Sequence, residues 1–163
     1  QENIELPLRQ HTNLDHNTIR IMSRLKLELM KLTDHEDLMP AELSGGMLKR
    51  AGLARAVIMD PEILFFDEPS AGLDPVTSAE LDELILQLRE ALNMTIIVVT
   101  HELESAFKIA DRITIIDNGC QIITGDKETI KKSTDPRIVN MLERKAMNNN
   151  IDADIYLNTL TQN

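Results

Sequence analysis

Four apolar residues running straight into two adjacent carboxylates and a proline, Ile63-Leu64-Phe65-Phe66-Asp67-Glu68-Pro69, constrain this chain more than any other stretch. A short continuous apolar run suits a strand covered on both faces, as in a parallel sheet sandwiched by helices. Successive side chains of a strand point to opposite sides, so Asp67 and Glu68 are expected to do different work. One carboxylate could hold a metal ion while the other polarises a water. Such a division of labour suggests phosphoryl transfer.

A second run of the same kind lies downstream. After Pro69, Ser70-Ala71-Gly72-Leu73-Asp74-Pro75 leads into a helix, with Asp74 as its N-cap and Pro75 at its first position. Leu81, Leu84, Ile85, Leu88 and Leu92 then form an apolar stripe at helical spacing. Thr95-Ile96-Ile97-Val98-Val99-Thr100 is the second β-branched run, and it delivers His101. Strand, helix, strand is the unit that builds parallel sheets, and such sheets bind ligands at the carboxyl ends of their strands. Asp67, Glu68 and His101 all stand at such ends. That coincidence lifts His101 above a lone structural histidine.

Upstream, residues 1–13 read as extended and polar, because Pro7 disfavours helix at Leu6. Asp15 or Asn17 caps an amphipathic helix carrying Ile19, Met22, Leu25, Leu29 and Leu32 and ending near Thr33. A polar loop with Pro40 follows. Ser44 then caps a helix whose apolar residues are Met47, Leu48, Ala51, Ala54, Val57 and Ile58, and Asp60-Pro61 closes it. Ahead of that helix, Gly45 and Gly46 let a ligand approach the backbone, and a helix N-terminus favours phosphate. A Ser-Gly-Gly turn alone is weak evidence for a ligand. Downstream of a short helix at residues 102–110, Ile113–Asp117 and Cys120–Thr124 flank Asn118-Gly119, a strong hairpin signal. Helices at about 126–132 and 135–146 precede an Asn-rich tail anchored only by Ile155, Tyr156 and Leu160.

Composition excludes several classes. At 163 residues the chain can bury one sizeable core, and with 2% aromatics that core must be aliphatic. A formal net charge of −10 argues against a general nucleic-acid binder. The single cysteine, Cys120, excludes an internal disulfide framework and fits a reducing compartment. No apolar stretch approaches the roughly 20 residues that span a bilayer. The chain reads as an α/β domain.

Taken in order, the Ser-Gly-Gly turn, carboxylate strand, Asp-capped helix and His-tipped strand resemble the ATPase subunits of ABC transporters, over about residues 1–130. Leu43-Ser44-Gly45-Gly46-Met47 is similar to the signature motif, with Arg50 and Ala54-Arg55-Ala56 in their usual places. Ile63 to Pro69 resembles the Walker B strand, Ser70 to Asp74 the D-loop, and His101 the switch histidine. Ala110-Asp111-Arg112-Ile113 and the Asn118-Gly119 hairpin also match. The resemblance implies a fold of helical subdomain plus parallel-sheet RecA-like core, incomplete without upstream strands. Its parts would be residues 1–43 in the helical subdomain, 44–125 in the distal ATPase core and 126–163 as C-terminal helices and tail.

The roles implied are specific. Asp67 would hold Mg2+ through water, Glu68 would orient and deprotonate the attacking water, and His101 would contact the γ-phosphate of ATP. Ser44, Gly45, Gly46 and Met47 would clamp ATP held by a second ATPase subunit, and Asp74 would communicate across that dimer interface. Two departures stand out. Met47 replaces the usual Gln, and no Gly-x-x-x-x-Gly-Lys-Ser/Thr loop occurs anywhere in the sequence. Gln1 does not take the glutamine-loop place, because Glu2-Asn3-Ile4 resembles a segment beyond it. The chain, which opens on Gln1 rather than Met, is therefore expected to be the C-terminal part of a longer subunit, inactive alone.

Glu2 to Arg9, Met47 and Asp135-Pro136-Arg137-Ile138-Val139 are similar to one bacterial group, the ATPases of Mla phospholipid transporters. This implies a membrane permease, a STAS-domain protein and a periplasmic lipid-binding subunit as partners, no nucleic acid, and a place on the cytoplasmic face of the inner membrane. The helix near residues 18–33 would face the permease, and the tail around Tyr156 could reach the neighbouring ATPase. Two alternatives stay open: a soluble ABC ATPase of DNA repair or translation, and a non-enzymatic interaction module.

Overall fold

The computed structural model describes residues 1–143, so Ile155, Tyr156, Leu160 and the end of the helix expected at 135–146 lie outside the described residues. The chain divides into two compact units, one of residues Gln1–Ala110 and one beginning at Asp111.

The first unit opens with a helix, not an extended segment. Helix α1 spans Glu2–His11 with Pro7 inside it. Proline removes one helical hydrogen bond, but local preference loses here to burial. Ile4 and Leu8, one turn apart, are both buried, and so is Glu5. The Glu5 carboxylate accepts hydrogen bonds from Gln1 Nε2 at 2.7 Å, Ser23 Oγ at 3.1 Å and Arg9 at 2.5 Å. A buried carboxylate survives only when satisfied in this way. Burial opposes ionisation of Glu5, but the hydrogen bonds from Arg9, Gln1 and Ser23 together outweigh it and lower the pKa.

Helix α2, His16–Leu29, is capped by Asp15, which accepts from the backbone N–H groups of Asn17 and Thr18. Its buried face is Ile19, Ser23, Lys26 and Leu27, with Met22 and Leu29 packed at the edge, while Leu25 of the expected stripe is exposed. Lys26 is carried inward on this face and pairs with Asp60. Beyond a short 3-10 turn at Pro40–Glu42, helix α3 covers Gly45–Ala56. Leu53, Ala54, Val57 and Ile58 face its core, and Leu48 is exposed instead.

Strand β1, Ile63–Asp67, pairs in parallel with β2, Thr95–Val99, across helix α4, Pro75–Leu92. The α4 stripe is buried as its spacing predicts: Leu81, Leu84, Ile85 and Leu88 enter the core. Each fully buried leucine contributes roughly 1.5–3 kcal/mol. Ser105, on helix α5 (Leu103–Ile109), donates to the buried carboxylate of Asp82 at 2.5 Å and fixes α5 against α4.

The expectation of a strand covered on both faces is overturned. Leu64 and Phe66 face the core, whereas Ile63, Phe65, Ile97 and Val99 are exposed, Phe65 by 70%. Within this unit, helices pack on one side of the two-stranded sheet and none of its described residues covers the other. The apolar run is that of a two-sided strand, and the described residues supply one side.

In the second unit, β3 (Ile113–Asp117) and β4 (Cys120–Gly125) form the expected antiparallel hairpin. Asn118 and Gly119 both take positive φ, 48° and 74°, as a type I′ turn demands. Helices α6 (Lys127–Lys131) and α7 (Pro136–Leu142) follow, capped by Asp126 and Asp135. Among the described residues no helix is long and apolar enough to cross a membrane.

Candidate active site

The register of the parallel pair decides where the chemically capable residues meet. Asp67 lies opposite Val99, so the chain leaves both strands at the same end, into Glu68 on one and Thr100-His101 on the other. His101 Nδ1 comes to 2.9 Å from Glu68 Oε2. The imidazole is a donor to that oxygen only when Nδ1 carries a proton. The 2.9 Å approach of the Glu68 carboxylate, as a potential acceptor and as a charge, raises the His101 pKa above its ordinary 6.5, and the Glu102 charge adds to this. Two side chains that the sequence placed only at neighbouring strand ends are in direct contact.

Asp67 sits on the exposed side of β1 with Ile63 and Phe65, as strand alternation requires. Glu68 does not continue that alternation. Its φ of 47° is left-handed, and it precedes Pro69, which pushes its neighbour toward extended backbone. The left-handed conformation costs a residue with a Cβ roughly 1–2 kcal/mol, so surrounding bonds must hold it. The Glu68 N–H donates to Val99 O at 2.9 Å. Its carbonyl accepts from Ala71 N at 3.2 Å and from Lys49 Nζ at 3.3 Å, and the same Nζ donates to Pro69 O at 2.5 Å.

Lys49 is the residue that sequence reasoning missed. It lies on α3, and its partners are backbone carbonyls nineteen and twenty positions away. No spacing rule marks such a contact.

The turn ahead of α3 is built differently. Ser44 is the N-cap, and its Oγ accepts from Met47 N at 3.3 Å. A Cβ on Gly46 would stand 2.6 Å from Thr77 Cγ2, while one on Gly45 would meet only Leu73, at 3.8 Å. Gly46 therefore serves close packing against the start of α4, and Gly45 is the one left open to solvent. Met47 packs at the edge of the core, which explains how an apolar side chain stands there. Asp74 caps α4, accepting from Val76 N, Thr77 N and Thr77 Oγ1. The Thr77 hydroxyl and N–H lower its pKa. Arg50 is tied to Glu80 at 2.5 Å and Arg55 to Asn3 at 2.9 Å.

Among the described residues no three His, Cys, Asp or Glu side chains gather as a metal cage. One exposed carboxylate at a strand end nevertheless fits Mg2+, which is ordinarily held through one or two carboxylates, waters and substrate phosphates.

Residues 1–71 match the ABC transporter family model. The intermembrane phospholipid transport system ATP-binding protein MlaF of Haemophilus influenzae is 44% identical over 142 residues, 87% of this chain and 54% of that protein. Over most of its length the chain is similar to ATP-binding subunits of ABC transporters. The MlaF protein of Escherichia coli K12 is 38% identical over 87% of this chain and 53% of its own length. Among solved structures, cbiO1 of Clostridium perfringens, part of the ABC transporter complex cbiONQ, aligns with a TM-score of 0.71 and 28% identity, over 86% of this chain and 59% of that one. The α/β architecture expected from the sequence is thus that of an ABC ATPase. The chain spans about half the length of the curated relatives it matches.

Proposed function

We propose that these residues form the distal part of an ATP-hydrolysing subunit that energises a bacterial phospholipid transporter of the Mla type. The observation that carries this reading is the Glu68–His101 contact at the carboxyl ends of adjacent parallel strands. It occurs in a chain 44% identical to a phospholipid-transport ATP-binding protein.

On this reading, Glu68 orients the attacking water and takes its proton, while His101, charged when Nδ1 donates to Glu68 and Nε2 to an oxyanion, contacts the γ-phosphate. Asp67 would hold Mg2+, which when bound neutralises charge on the phosphates. Ser44, Gly45 and Gly46 present backbone N–H groups at the start of α3, where an anion is favoured, and so serve ATP on a second subunit. Met47 contributes packing to that clamp, and Asp74 lies beside it. Phosphoryl transfer needs positioning and charge neutralisation more than covalent chemistry, and this residue set is of that kind. The phosphate cradle would come from polypeptide outside these 163 residues, since no such loop occurs in them. A membrane permease, a STAS-domain protein and a periplasmic lipid-binding subunit complete the assembly, with this subunit on the cytoplasmic face.

The experiment is ATP hydrolysis by a complete subunit that carries a phosphate-binding loop, in its transporter complex. Glu68→Gln should lower kcat by a factor of 100 or more, on the order expected for a lost general base, and leave nucleotide binding intact. Hydrolysis at the wild-type rate would overturn the role given to Glu68. A second reading concerns cargo only. A relative from Mycobacterium leprae named a probable ribonucleotide transport ATP-binding protein is 39% identical over 83% of this chain. Stimulation of the complex by phospholipid and not by ribonucleotide would decide between the two.

A further inference from the structure

We propose that Lys49 is a positioning residue for Glu68: from the helix that carries the Ser44-Gly45-Gly46 turn, its ammonium ties down the carbonyls of Glu68 and Pro69 and holds the left-handed turn that presents the carboxylate. The role as a positioner of catalysis rests on the function proposed above; the structural tie does not.

Three facts support it. The Glu68 backbone is disfavoured twice, by its positive φ and by the proline after it, so it persists only if its surroundings over-determine it. Two of the holding bonds, from Glu68 N to Val99 O and from Ala71 N to Glu68 O, are main chain to main chain. The bonds from Lys49 Nζ, at 3.3 Å and 2.5 Å, come from a side chain and from a different element. They are charge-assisted, a class about twice as strong as neutral hydrogen bonds. Lys49 is also five residues past Ser44 on one rigid helix. Any displacement of the Ser-Gly-Gly turn therefore reaches the carbonyl of Glu68 through a single side chain.

The first test uses the 163-residue chain and needs no nucleotide. The imidazole of His101 faces Glu68 across 2.9 Å and also feels Glu102, so its titration reports whether Glu68 is held in place. In a histidine-ring NMR titration, Lys49→Met should bring the His101 midpoint most of the way back toward 6.5. Lys49→Arg should keep the His101 midpoint raised. A purely structural loss of stability would leave the His101 midpoint raised in the folded state. If Lys49→Met does not fold, Lys49→Gln, which keeps a donor without the length or charge, makes the same test. An unmoved His101 midpoint in a folded variant overturns the proposal.

The second test uses the complete subunit. Lys49→Met should lower kcat for ATP about ten- to a hundredfold, the scale of a misplaced reacting group, with KM unchanged and with Lys49→Arg restoring activity. A wild-type kcat in Lys49→Met, alongside an inactive Glu68→Gln, overturns the positioning role alone. An active Glu68→Gln would instead sink the ATPase role of Glu68 and leave the His101 result standing.

Discussion

Two turns meet on helix α3, and they are stabilised in opposite ways. The turn at Ser44–Met47 is held by its own sequence: Ser44 adopts ordinary extended backbone, φ −63°, and caps the helix that begins one residue later. The turn at Glu68–Ala71 is held from outside. Its first residue is left-handed, and its bonds come from Val99 on β2 and Lys49 on α3 as well as from Ala71. The first turn has no left-handed residue, and its cap comes from within it. The second exists only because the tertiary structure is in place, which is how strain is kept at a site of chemistry.

The largest way to break this contrast is at Gly46. A β-branched side chain there would collide with Thr77, which cannot swing aside because its Oγ1 donates to Asp74. Gly46→Val should destabilise the chain by about 2–3 kcal/mol, as overpacking does, read as a shifted urea midpoint. A neutral result would mean that α3 and α4 do not approach as closely as described. Ser44→Ala comes next. Losing a local cap costs about 1 kcal/mol, and the loss should leave the His101 titration untouched if the two turns are independently held.

The same division explains what could be read in advance. Ser44, Asp74 and Asn118-Gly119 act on neighbours within a few positions, so their caps and turn were legible, and so was the α4 stripe of Leu81, Leu84, Ile85 and Leu88. The strand–helix–strand order brought Glu68 and His101 to one sheet end, because such a unit lays its two strands in parallel. What failed was non-local. Pro7 argued against helix, but burial of Ile4 and Leu8 overrides a single lost bond. Leu25 fits a helical stripe as well as Ser23 or Lys26 does, and only Glu5 and Asp60 reveal why the polar pair faces inward. Lys49 looked like any helix-surface lysine.

A smaller effect sharpens the comparison from the other side. If Glu68 carries strain and Gly45 does not, glycine should help at the first position. Glu68→Gly relieves a left-handed cost of roughly 1–2 kcal/mol and adds about 0.5–1 kcal/mol of backbone entropy loss. The chain should therefore be more stable by up to about 1.5 kcal/mol, by urea denaturation, although the carboxylate is gone. A destabilised Glu68→Gly would show that the Glu68 side chain, and not its backbone, is what the fold depends on.

The smallest effect is one of pH. The folded-state pKa of His101 is raised above 6.5 by the close Glu68 carboxylate, as a potential acceptor and as a charge. A raised pKa means that the folded chain binds a proton more tightly than the unfolded one. The contribution of the pair is then fully present below about pH 6.5 and is lost as pH rises through the folded-state value. Its size is small, because the imidazole is 79% exposed and solvent screens the pair. The comparison makes the prediction specific: stability measured from pH 5.5 to 8.5 should fall by a small amount in the wild type, and Glu68→Gln should remove that fall. Ser44→Ala should keep the slope while lowering the whole curve, since its turn contains no group that titrates in this range. If Ser44→Ala abolished the slope, the two turns would be one cooperative unit, and the distinction between a locally and a distantly held turn would not stand.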